Sequence, residues 1–151
     1  AILWLTLFRD KIDEIMEQVK CPVAVFVNRQ YREGTTVSFV FGGMIDLFLF
    51  SYLDKMLQNG HSVRLFLFDT DDEEFRGRID DLQVRYPEQT MIVWFAGVED
   101  LVTEEKDGLL IMSHLSYTKL SEDEAVMREL SSLLVIRRNK NTGDKNEGLE
   151  N

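Results

Sequence analysis

Thr35-Thr36-Val37-Ser38-Phe39-Val40-Phe41-Gly42-Gly43-Met44 is the stretch on which the fold turns. An apolar run rich in β-branched and aromatic residues ends in two glycines and passes into Met44 to Gln58, where apolar residues recur at helical spacing. Strand, sharp glycine turn and helix open a βαβ unit. Asn59-Gly60 supplies the helix stop, and Val63 to Phe68 forms the next strand. Asp69-Thr70-Asp71 then caps a helix over 72–85, which Pro87 bars from continuing, and 91–95 is a further strand.

Downstream, 98–106 holds a short helix and 109–113 a strand. Ser121-Glu122-Asp123-Glu124 resembles a capping box opening a last helix over 122–130, before a strand over 132–136. Upstream, Leu5, Phe8, Ile12, Ile15, Met16 and Val19 stand at helical spacing over 4–19, and Val23 to Val27 reads as a buried strand after Cys21-Pro22. No internal repeat is evident. Strands that are apolar throughout, alternating with helices, imply a parallel sheet covered on both faces. The expectation is a doubly wound, mainly parallel α/β sandwich of five to six strands, with residues 35–137 as one domain. Residues 1–34 add a helix, a strand and a loop, and 138–151 form a disordered polar tail.

The chain has 151 residues, 44% hydrophobic and 29% charged, with 17 Lys and Arg against 27 Asp and Glu and a formal charge of −10. That balance repels polyanions, so no nucleic-acid partner is expected. The lone Cys21 forms no internal disulfide and reads as a small buried residue; with no metal-ligand spacing, a reducing cytoplasmic setting without a metal is expected. No apolar run is long enough to cross a bilayer, and a chain opening at Ala1 reads as a fragment of something longer. The aromatic residues on strands and apolar helix faces, among them Phe39, Phe41, Phe68, Trp94 and Phe95, are expected in the core.

Ligands of doubly wound sheets bind beyond the carboxyl ends of the strands. That rim carries the candidate ligand-binding residues Gly42, Gly43, Asp69, Asp71, Ser113 and His114. Gly42-Gly43 reads foremost as a tight turn. Asp69 and Asp71 fit capping better than Mg²⁺, because the partner carboxylate of a divergent Toprim-like, Mg²⁺-dependent nuclease is missing at Gly42-Gly43. Ser113 and His114 point to opposite strand faces and form no dyad, so no catalytic residue is assigned and no enzyme is expected.

Cys21-Pro22-Val23-Ala24-Val25-Phe26-Val27-Asn28-Arg29, a polar loop, and then Val37-Ser38-Phe39-Val40-Phe41-Gly42-Gly43 form a distinctive pair. This pair resembles the join in the cytosolic tails of monovalent cation (Na⁺ or K⁺)/proton antiporters, the plant cation/proton exchangers and their bacterial relatives. There two universal-stress-protein-like halves often follow a membrane exchanger domain. The matches are Phe8-Arg9, Cys21, Val23, Val25, Val27, Arg29 and Phe41-Gly42-Gly43, with Asn28 where Asp is usual. The likeness covers residues 8–68 and is architectural over 69–136.

The resemblance implies the last helix and strand of one half followed by a complete second half, at the cytoplasmic face of the membrane, with the parent antiporter domain as partner. It implies regulation by dimerisation or small-ligand sensing, the homodimer pairing through the last strand at Leu134 and Ile136. The glycine-rich ATP motif of the stress proteins is absent from Ser113-His114-Leu115-Ser116-Tyr117-Thr118-Lys119-Leu120, so no cofactor is expected. The alternative is a stand-alone stress-protein-like nucleotide-binding protein.

Overall fold

The computed structural model describes residues 3–6, 12–18 and 21–138, although not the side chains of residues 3–6, Asp13 and Gln18. Seven strands form one sheet: β1 Leu3–Thr6, β2 Val23–Val27, β3 Val37–Phe41, β4 Val63–Phe68, β5 Thr90–Phe95, β6 Leu109–Ser113 and β7 Ser132–Arg137. Five helices accompany them: α1 Ile12–Gln18, α2 Phe50–Gln58, α3 Glu73–Arg85, α4 His114–Leu120 and α5 Glu124–Glu129. Short 3₁₀ helices span Met44–Leu49 and Val98–Leu101.

The strand order is β1-β2-β7-β6-β3-β4-β5, and neighbours run parallel except for the antiparallel pair β2 and β7. One face is covered by α1, α4, α5 and the 98–101 helix, which contribute Met16, Tyr117, Val126 and Leu101 to a core around Val25, Val40, Met112 and Val135. Opposite it, Leu53, Leu57, Phe75 and Ile79 of α2 and α3 pack on Phe39, Phe41, Leu65 and Leu67. This is the doubly wound α/β sandwich that the apolar strands require, since each face must be removed from water.

The element bounds differ from expectation in ways that have local causes. Leu3-Trp4-Leu5-Thr6 is a strand instead of the first turn of a helix; a short apolar run suits either state, and parallel pairing with Val23 to Phe26 decides it. The rest of the expected helix face, Phe8 and Val19 included, lies outside the described residues. Asp72, not Asp69 to Asp71, caps α3, its Oδ1 accepting from Glu74 N at 3.0 Å and Phe75 N at 3.2 Å. Asp123, not Ser121, caps α5 through Val126 N at 3.1 Å. Ser121 instead follows α4 as its C-cap, a helix over His114–Leu120 not anticipated above. The Asn59-Gly60 stop forms as expected: Gly60 has φ +87°, and the Gly60 and His61 amides return to the Leu57 and Met56 carbonyls. Cys21 is exposed rather than buried, while Trp94 and Phe68 are part-exposed rather than core, with the Arg76 guanidinium 4.3 Å from the Trp94 ring centroid. The expected polar tail lies, from residue 139 on, outside the described residues.

A repeat invisible in the sequence appears at the antiparallel seam. The pairs are Val23 with Arg137, Ala24 with Ile136, Val25 with Val135, Phe26 with Leu134 and Val27 with Leu133. Like any antiparallel pair, these strands are related by a local two-fold axis, here between Val25 and Val135; what repeats in this chain is the topology of the flanks. On one side β1-α1-β2 is a parallel strand pair joined through a helix, as is β6-α4-α5-β7 on the other. Two arginines cross the seam. The Arg137 side chain donates to the Met16 carbonyl in the last turn of α1 and to the Cys21 carbonyl just before β2, and Arg29 donates to the Met127 and Leu130 carbonyls at the end of α5. At Met16 and at Met127 the acceptors are carbonyls in a last helical turn, which the helix leaves unpaired.

The seam also bears on Leu134 and Ile136. β7 is hydrogen-bonded to β2 on one side and β6 on the other, so its backbone offers no edge to a second copy. Ile136 is 3% exposed, and Leu134 packs in the same core cluster. Ile136→Asp therefore places an unpaired charge in a central strand, at a cost of about 3–5 kcal/mol. Urea denaturation should show that loss, while light scattering of the remaining folded protein shows an unchanged mass.

Candidate functional site

Strand order reverses at β3, which has β4 on one side and β6 on the other. The chain leaves β3 in one direction and later returns in the other, so the two connections diverge above the carboxyl ends of these strands and leave a crevice. A cleft of about 200 Å³ occupies this place. Its walls include Val40, Phe68, Phe95, Leu101, Met112 and Leu120, and its polar side is formed by Gly42, Ser116 and Lys119.

The polar side is organised by Asp46. The 3₁₀ turn that follows Gly43 carries this carboxylate back under the end of β3, where it is 0% exposed. Its Oδ2 accepts from the Gly42 amide at 2.6 Å and from the Ser116 hydroxyl at 2.8 Å, tying the β3 connection to the first turn of α4. Its Oδ1 is buried and has no protein partner. An acceptor in that state forfeits solvation without compensation, which costs about 1–3 kcal/mol or more for a charged group.

Gly43 makes this geometry possible. Its φ of +143° with ψ of −162° belongs to a region essentially restricted to glycine. Gly42 is needed for space instead, since a Cβ there would stand 3.2 Å from both Asp46 Oδ2 and Ser116 Oγ.

The other expected site residues divide. Gly42 lines the cleft, and Ser113, at the end of β6, accepts from Ser116 N at 3.1 Å and so fixes the turn that presents Ser116. His114 is the first residue of α4, half-buried, and not among the cleft-lining residues. Asp69 is paired with Arg76, Oδ1 to Nη2 at 2.8 Å, and Asp71 is exposed. Asp46 is not among the residues that the sequence pattern singles out. The signal that could have found it was a lone acidic residue on the apolar side of the segment that follows a glycine turn.

A larger groove, about 730 Å³, lies at the amino ends of the strands among Tyr31, His61, Arg64 and Glu88. It is open and off the switch point, so size alone does not make it the site. Beside it, the Arg64 guanidinium donates to Glu105 Oε1 at 2.6 Å. This bond foremost, with one from Thr36, holds the Glu105 carboxyl below its ordinary value against the opposing effect of burial. A depressed carboxyl contributes stability above its unfolded value, near 4.5, and loses it as pH falls through the folded value.

Comparison with protein-family models, with curated proteins and with solved structures gives no match.

Two outcomes are expected. Gly43→Ala destabilises the fold by about 1–3 kcal/mol in urea denaturation, because the added Cβ forbids the backbone angles that bring Asp46 under β3. Arg64→Met flattens the fall in stability below about pH 4.5, measured as melting temperature against pH.

Proposed function

We propose that this chain is a non-catalytic regulatory domain of a monovalent cation/proton antiporter, working at the cytoplasmic face by sensing a small ligand in the β3/β6 cleft. The observation that carries this is the seam. Cys21 to Arg29 and Val37 to Gly43 are the residues that resemble the join of two stress-protein-like halves. The first contains β2, one strand of the antiparallel seam, and the second contains β3, beyond β6, with a β-α-β unit on each side of the seam. A sensor needs a ligand pocket and a way to pass occupancy to a neighbour. The cleft touches β3 and α4, and α4 packs on the strand that carries the seam.

Among the described residues, no helix is long and apolar enough to cross a membrane, so membrane attachment on this reading belongs to the parent polypeptide. Dimerisation through β7 has no part in it, because both edges of that strand are used. The stand-alone nucleotide binder is disfavoured by charge and by backbone. Asp69, Asp71, Glu99 and Asp100 lie exposed at or just beyond the ends of β4 and β5, and Ser113 to Leu120 forms a strand end and a helix with no glycine loop to wrap phosphates. The Asp69 and Asp71 nuclease is disfavoured by the Arg76 partner that already neutralises Asp69.

The test is to fractionate native cells and probe them with an antibody to this domain. A large integral membrane polypeptide is the expected result. A small polypeptide in the soluble fraction overturns the antiporter assignment and puts the nucleotide binder first.

A further inference from the structure

The cleft at the switch point is lined mainly by hydrocarbon, from Val40, Phe95, Val98, Leu101, Met112 and Leu120. Its volume, about 200 Å³, lies below the roughly 300 Å³ at which drug-sized pockets begin and near the roughly 150 Å³ that accommodates a benzene ring. Phe68, also on the lining, stands edge-on to Phe95 with ring centroids 5.6 Å apart, and is still 41% exposed. An apolar occupant would remove more of that ring from water, which favours binding in proportion to the area covered.

The polar side consists of Gly42, Ser116 and Lys119, and two of these three have already spent their donors. The Gly42 amide and the Ser116 hydroxyl both donate to Asp46 Oδ2, so Ser116 Oγ keeps only lone pairs for anything in the cleft. Lys119 follows Ser116 by three residues on α4, which places the two on one face of that helix. Its side chain is exposed, and its ammonium carries three donors and no acceptor.

An acceptor and a donor side by side match a hydroxyl group, which gives one hydrogen bond and takes another. A carboxylate or phosphate suits Lys119 but not Ser116. To bond it, the serine must withdraw its proton from Asp46, and that buried carboxylate, whose Oδ1 already has no protein partner, keeps the Gly42 amide alone. The second anion would also lie only two hydrogen-bond lengths from the first, where like charges repel strongly in a poorly solvated space. An ammonium suits Ser116 but stands beside the charge of Lys119. We propose that the cleft binds a small uncharged hydroxyl compound. Its apolar body, no larger than one aromatic ring with a short chain, lies among Val40, Phe68 and Leu120, and its hydroxyl donates to Ser116 Oγ and accepts from Lys119 Nζ. This rests on the reading of the cleft as a ligand site and names the ligand class.

The experiment is an amide NMR titration of the full 151-residue chain near neutral pH with three probes of one size and shape: benzyl alcohol, anionic benzoate and cationic benzylamine. Benzyl alcohol should shift the Gly42, Ser116 and Leu120 amides saturably and bind at least about tenfold more tightly than either charged probe. Ser116→Ala and Lys119→Met each remove one hydrogen bond and should each weaken benzyl alcohol by about fivefold. Lys119 is exposed, so its variant serves on its own where Ser116→Ala does not fold. Benzoate or benzylamine binding as tightly as benzyl alcohol overturns the ligand class and leaves the cleft as a site. An affinity for benzyl alcohol unchanged in Lys119→Met, or in folded Ser116→Ala, overturns the recognition of the hydroxyl. No saturable shift at these amides with any probe overturns the cleft as a ligand site, whatever size and location the parent polypeptide has in cells.

Discussion

The pairing of β7 with β2 is the constraint on which the remainder of the molecule depends. It makes β7 a central strand, hydrogen-bonded along both edges, and so joins the short first unit to the longer second one in a continuous sheet. The strand ladder is reinforced by the crossing arginines. Arg137 donates to the end of α1, which belongs to the first unit, and Arg29 to the end of α5, which belongs to the second. A guanidinium has five donors and no acceptor, so backbone carbonyls orphaned at a helix end are natural partners for it. Burial pushes the Arg137 guanidinium below its ordinary value, the cost of holding that charge at the seam.

The cleft follows from the same topology. With β6 fixed beside β7, β3 must take the other side of β6 and send its first connection away toward β4, and the crevice opens where these directions part. Gly43 bends the chain there, Asp46 turns back beneath it, and Ser116 closes the carboxylate from the other connection. One residue from each side of the switch point thus meets at a single oxygen. Packing supplies the apolar walls at no extra requirement, because Val40, Met112 and Leu120 are already members of the core on that face.

Charge gives the site its direction. The chain carries ten more acidic than basic residues, and part of that excess stands near the carboxyl ends of β4 and β5. That excess makes a phosphate-rich partner unfavourable at this end of the sheet. The helix α4, which carries Ser116 to the cleft, packs against β6 and β7. The path from cleft to seam is therefore short and passes through elements in direct contact.

The sequence by itself determined the sandwich. Apolar runs at Val37 to Phe41, Val63 to Phe68 and Leu109 to Ser113 have to be covered on both faces, and Asn59-Gly60, Pro87 and the acidic residues before Phe75 mark helix ends through local backbone chemistry. It located the switch-point rim too, since Gly42-Gly43 announces a turn that few other residues permit. What only the tertiary structure decided were the matters fixed between distant residues. Leu3 to Thr6 became a strand because β2 was there to pair with it. Leu134 and Ile136 lost their edge to Val25 and its neighbours, more than one hundred positions away in the chain. Asp46 became the centre of the site because Ser116, seventy residues on, closes over it. Local pattern fixes which residues must be buried; which of them meet is fixed by pairing and packing across the chain, and a carboxylate is left one partner short only after that packing is complete.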